Sequence, residues 1–160
     1  MVHIEQLAGY ASGPFLAACL LLVGAGISKC RGGSLPLGLV EIAIGTAGIV
    51  AGRGAALVVA ATYLVLAAYS LRLLIVAPTK PCNCLGASSA PVTRGHVALN
   101  AGAAVVALVA AAGASPLARL GELPLAGVPF LVLVACCTWL GVLMLTALPA
   151  LRVEQRRGAS

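Results

Sequence analysis

The only polar segment of any length between apolar runs reads Pro78-Thr79-Lys80-Pro81-Cys82-Asn83-Cys84-Leu85-Gly86, and its chemistry lies in two thiols one residue apart. Pro81 keeps the backbone extended just before Cys82 and Gly86 permits a turn just after Cys84, so the pair sits on a constrained loop. A C-x-C pair has two uses. It closes and opens a tight, readily reduced disulfide, or it presents two thiolates to a soft metal. Both uses need thiolate character near neutral pH, and Lys80, Arg94, His96 and the N-terminus of the next helix supply positive potential. The spacing is not C-x-x-C, so neither a thioredoxin motif nor a zinc ribbon follows from it. The plain alternative is a loop with two inert small residues.

Other residues stand out against an apolar background. Cys30, at the end of the first apolar run, is either a third thiol for an exchange relay or a packing residue. Cys19 and the adjacent Cys136 and Cys137 read as packing, since neighbours on a helix point about 100° apart and cannot share one site. Glu41 interrupts an apolar run, where an acid costs several kcal/mol unless it is paired or lines a polar cavity. Counted from the helix ends, Glu41 lies about 9 Å deep and Arg72 about 8 Å, so a buried Glu41–Arg72 ion pair is expected. Such a pair fixes helix register and, on a functional reading, also shapes a polar pocket beneath the loop. His96 and Asn100 are one turn apart and should face the interior below Cys82, Asn83 and Cys84. Asn100 is placed to hydrogen-bond loop carbonyls or a thiolate. For His96 a ligand, a proton carrier and an interfacial residue are all open. Trp139 falls too deep for an interfacial anchor and reads as core packing.

These residues need elements to hold them, and the composition says which. The 160 residues are 61% hydrophobic and 9% charged, with ten Lys or Arg and four Asp or Glu. A soluble domain carries about a quarter charged residues, so this chain belongs in a bilayer. Six cysteines do not make it a disulfide-stapled secreted module, because several sit inside apolar runs. Five runs, at about 9–28, 35–51, 55–77, 96–113 and 126–148, predict an all-α polytopic membrane bundle of four to five transmembrane helices. It forms a single domain over 1–151, followed by a polar basic tail, 152–160. The second run is short, Gly-rich and interrupted by Glu41, so a re-entrant or tilted segment is its alternative to a full crossing. Met1 to Gln6 lacks a basic region, so the first helix is read as retained rather than cleaved.

With five crossings, Lys29, Arg31, Arg72, Lys80, Arg94, Arg152, Arg156 and Arg157 fall on one side and Arg53 and Arg119 on the other. The positive-inside rule then puts the N-terminus outside and the Cys82/Cys84 loop in the cytoplasm of a bacterial-type cell membrane. The net charge of +6 is thereby a report of orientation and anionic headgroups, and no nucleic-acid partner is expected. Lipid gives helices no hydrophobic reason to associate, so packing is assigned to small residues: Gly9 with Gly13, Gly48 with Gly52, and Ala103, Ala107 and Ala111. An oligomer is compatible with these stripes, and no dimer motif is asserted.

The chain resembles the MauE-like branch of the MauE/DoxX group of redox-associated membrane proteins. The resemblance spans most of the chain and rests on Lys29 after a small-residue run, on Glu41 in the second helix, on Pro81, Cys82, Asn83, Cys84, Leu85 and Gly86 after basic residues, and on Asn100 early in the next helix. It departs at Leu85, where an aromatic is usual, and at Leu99, where a basic residue is frequent. The resemblance implies a helical bundle linked to thiol-disulfide chemistry, in a group named for maturing the disulfide-rich small subunit of methylamine dehydrogenase. Three functions compete. The first is a membrane thiol-disulfide oxidoreductase or its accessory, cycling Cys82 and Cys84 with Cys30 as resolving thiol and a thioredoxin-like or other thiol partner. The second is a soft-metal carrier of the mercury-transporter type, using Cys82 and Cys84 as ligands and Cys136 and Cys137 to pass the ion along. The third is a structural subunit of a larger complex. No cofactor is required, and a quinone has no support in the sequence.

Overall fold

Five α-helices and no strand occur among residues 2–80, 82, 91–113 and 127–158, which the computed structural model describes. They are α1 (Val2–Arg31), α2 (Leu35–Val50), α3 (Arg53–Val76), α4 (Arg94–Ala110) and α5 (Gly127–Gly158). Hydrophobicity locates all five but sets two ends too short. α1 begins at Val2 rather than near Gly9, and α5 continues to Gly158, so most of the expected tail is helical. An apolar run marks only the most hydrophobic stretch of a helix, which here continues through good helix formers such as Ala150, Leu151, Arg152, Glu154, Gln155 and Arg156.

α1 and α2 are joined by a tight turn. Gly33 takes a φ of +90°, a left-handed conformation that favours glycine, and the Ser34 N–H donates to Lys29 O at 2.9 Å. Pro36 then lies in the first turn of α2, where its missing N–H costs nothing. The two helices meet almost backbone to backbone: a Cβ on Gly38 would lie 2.5 Å from Gly26 O and 2.5 Å from Cys30 Sγ, and one on Gly45 would lie 2.7 Å from Cys19 O. Close approach of small residues is how helices associate without a hydrophobic drive. Gly38→Ala is therefore expected to cost about 1–3 kcal/mol, because the obstructing atoms are largely backbone. Gly52→Ala, whose Cβ would meet nothing within 4 Å, should leave thermal unfolding in detergent unchanged. Of the expected small-residue stripes, Gly48 packs on Cys19 and Val59, Gly13 faces Phe130, and Ala107 and Ala111 are buried, while Gly52 stands open.

α1 is the central helix and touches α2, α4 and α5, while α3 packs mainly on α4. The core joins Phe15, Ala18, Cys19 and Leu22 of α1 to Val59, Ala60 and Tyr63 of α3 and to Ala104 and Ala107 of α4. Tyr63 donates its hydroxyl to Ala18 O at 2.6 Å, which satisfies a buried polar group against the backbone of the neighbouring helix. The outer surface is apolar too. Leu64, Val65, Ile75 and Val76 of α3 and Val128, Val132 and Leu140 of α5 all point outward. Trp139 joins them at 64% exposure, which corrects its expected place in the core: it lies on the outward face of α5. Two helices are long and apolar enough to cross a membrane, over Tyr10–Arg31 and Arg53–Val76, and three shorter apolar helices accompany them.

Candidate functional site

The segment between α3 and α4 is closed at its base. The Lys80 N–H donates to Ala77 O at 3.0 Å, and the Val92 N–H returns to Lys80 O at 3.2 Å. Cys82 follows directly and lies in the fold at 4% exposure. It is disulfide-bonded, whereas Cys19, Cys30, Cys136 and Cys137 are free thiols. Asn83 and Cys84 lie outside the described residues, so their expected roles are carried by the sequence alone.

Two helices place polar groups under Cys82. Ser70 of α3, fully buried, holds its Oγ 3.5 Å from Cys82 Sγ. Asn100 of α4, at 3% exposure, donates from Nδ2 to Ser70 Oγ at 3.3 Å. Asn100 was expected beneath the cysteine loop, and there it stands, acting on Cys82 through Ser70. Sequence reasoning missed Ser70. The inner face of α3 runs Ala56, Val59, Ala60, Tyr63, Ala67 and Ser70, spaced three or four apart, so a serine in that register was the available signal.

His96 is buried as expected and occupies the third position of α4. Its Nδ1 accepts the Thr93 N–H at 3.2 Å and lies 3.0 Å from Thr93 Oγ1, so the ring closes a capping box with Thr93. An accepting Nδ1 leaves the ring proton on Nε2. Of the readings open from sequence, this geometry gives His96 a role in fixing the start of α4 and hence the height of Asn100. Lys80 and Arg94 are both exposed, at the flanks of the site.

Glu41 is buried as expected, but its partner is not Arg72. It pairs with Lys29, the buried lysine in the last turn of α1. Arg72 is exposed. Direction around the helix decides the pairing: Arg72 is two residues past the inward Ser70, a rotation of about 200° that turns it outward. α2 also packs far more extensively on α1 than on α3. The second carboxylate oxygen of Glu41 has no hydrogen-bond partner among the described residues. Cys30 belongs to this same junction, with its Sγ 3.8 Å from Leu35 O and in line with Gly38. Its contacts are those of a packing residue between α1 and α2. Cys19 is core, against Gly48, whereas Cys136 is exposed and Cys137 half-buried on α5.

No family model, curated protein or solved structure matches the chain. What distinguishes the chain is a disulfide sulfur shielded from solvent, held over a serine and an asparagine at the end of an apolar bundle.

Proposed function

We propose that this chain is a multi-pass membrane thiol-disulfide redox protein, similar in kind to the MauE-like group, in which Cys82 and Cys84 cycle between disulfide and dithiol. The observation that carries this reading is Cys82 itself, bonded through sulfur while the four other described cysteines stay free, and hydrogen-bonded to Ser70. A sulfur engaged in a disulfide offers no thiolate to a soft ion, which favours redox exchange over the metal-carrier reading. The apolar outer surface supports insertion, because exposed Leu, Ile and Val over several helix faces are stable against lipid and a liability in water. The excess of Lys and Arg favours a cytoplasmic loop and an outward N-terminus. A cytosolic thiol protein of thioredoxin type is then the partner chemistry, and maturation of an outward disulfide-rich subunit such as that of methylamine dehydrogenase would be served by electron transfer across the bundle.

Thiol labelling tests side and chemistry together. In cells carrying a variant that retains only Cys82 and Cys84, an impermeant maleimide should label neither from outside, before or after treatment with an impermeant reductant. After permeabilisation the pair should take up label, chiefly at Cys84, only once dithiothreitol has been added. Labelling of intact cells would reverse the orientation. Labelling that does not depend on reduction would end the redox reading.

A further inference from the structure

The contacts under Cys82 have a direction. A disulfide sulfur carries no hydrogen, so in the 3.5 Å contact between Ser70 Oγ and Cys82 Sγ the hydroxyl is the donor. Asn100 in turn donates from Nδ2 to Ser70 Oγ, an interaction that leaves the serine's own proton for the sulfur. All three groups are at or below 4% exposure, so bulk water does not compete with these bonds. A disulfide sulfur is a weak acceptor and a thiolate a strong one, and a hydrogen bond to an ionised group is roughly twice as strong as one between neutral groups. The arrangement therefore interacts more strongly with the reduced, ionised form of Cys82 than with the bonded form.

We infer that Ser70 and Asn100 are positioning residues that make Cys82 the leaving sulfur of the exchange, a reading that rests on the redox function proposed above. The thiolate of a partner protein dithiol attacks the sulfur bonded to Cys82. A new S–S bond forms there, the bond to Cys82 breaks, and its electron pair remains on Cys82 as a thiolate facing the Ser70 hydroxyl. The partner's second thiolate then attacks the partner's own first sulfur in this mixed disulfide: the partner's S–S bond forms, the bond to the loop sulfur breaks with its electron pair left on that sulfur, and the partner departs as the disulfide. Two electrons and two protons pass from the partner dithiol to the pair, which ends as two thiols. Burial of Cys82 disfavours attack on its own sulfur, and the donated hydrogen bonds favour Cys82 as the departing one.

The full chain in lipid nanodiscs, equilibrated against graded ratios of reduced and oxidised dithiothreitol, gives the test. The oxidised fraction is read from the mobility shift after alkylation with a mass tag. Ser70→Ala should move the exchange equilibrium about tenfold toward the disulfide, which is about 30 mV in midpoint. Ser70→Thr, which keeps the hydroxyl, should restore the wild-type midpoint, and Asn100→Leu should move it the same way as Ser70→Ala by a smaller factor. A wild-type midpoint in both Ser70→Ala and Asn100→Leu overturns the inference. If Ser70→Ala does not fold, Asn100→Leu decides alone, and an unmoved midpoint overturns it. A wild-type protein with no dithiothreitol-reducible bond at Cys82 defeats the underlying redox reading instead, so the two failures are separate results.

Discussion

Replacing Cys82 by Ser is expected to abolish the redox-dependent mobility shift completely and, at the same time, to make mixed disulfides accumulate. The first effect follows from removing one sulfur of the bond. The second follows from losing the resolving sulfur. With Cys82 absent, a thiol on Cys84 that has attacked a disulfide has no neighbouring sulfur to resolve it, so the adduct persists. Cys84→Ser should lose the shift equally but form the adduct much more slowly, because the remaining Cys82 is only 4% exposed and packed over Ser70. A buried thiol reacts through local opening, and each ~1.4 kcal/mol of opening slows attack tenfold, so adduct formation is expected to be at least about tenfold slower in Cys84→Ser than in Cys82→Ser. The readout is the rate of reaction with a small aromatic disulfide, followed by mass spectrometry of the intact chain. Equal rates in the two variants would show that both sulfurs are reachable and remove the asymmetry. A shift that survives in Cys82→Ser would remove the redox pair altogether.

How far the sequence could reach is clear from particular residues. Cys82 was legible because a thiol pair between Pro81 and Gly86 is unusual chemistry on an unusual backbone, and Asn100 because a single amide inside an apolar run must face protein. Glu41 was legible as buried by the same logic, while its partner was not. Lys29 lies in the last turn of α1, where a lysine reads equally well as an anchor at the headgroups, so nothing local marks it as inward. It lies on the stripe through Ala18, Leu22 and Ala25, all buried, and a helical projection of that stripe would have caught it. Trp139 failed for the opposite reason. Depth along the run points to the core, but on a bundle whose exterior is apolar, depth does not separate the inner face of a helix from the outer one. Periodicity loses its contrast when both faces are apolar, and only the sparse polar residues still report direction.

Lys29→Met is expected to destabilise the bundle strongly. It leaves the Glu41 carboxyl buried at 4% exposure, with one oxygen stripped of its lysine and the other already without a hydrogen-bond partner among the described residues. Breaking a buried pair by removing one member costs about 3–5 kcal/mol, because the surviving charge is uncompensated. Replacing both members by apolar residues removes the charge along with its partner, so Lys29→Met combined with Glu41→Leu should recover most of that loss, and is expected to be neutral or more stable than the wild type. The two changes are therefore strongly non-additive, as groups in direct contact should be. Thermal or denaturant unfolding of the full chain in detergent checks this. The discriminating result is a double variant that stays as unstable as Lys29→Met, which would mean that the pair's geometry, and not the isolated charge, holds α2 against α1 where Gly26 and Gly38 meet. A recovered double variant would instead place the specificity of that contact in the glycines, with the ion pair neutralising two charges that the apolar surroundings would otherwise reject.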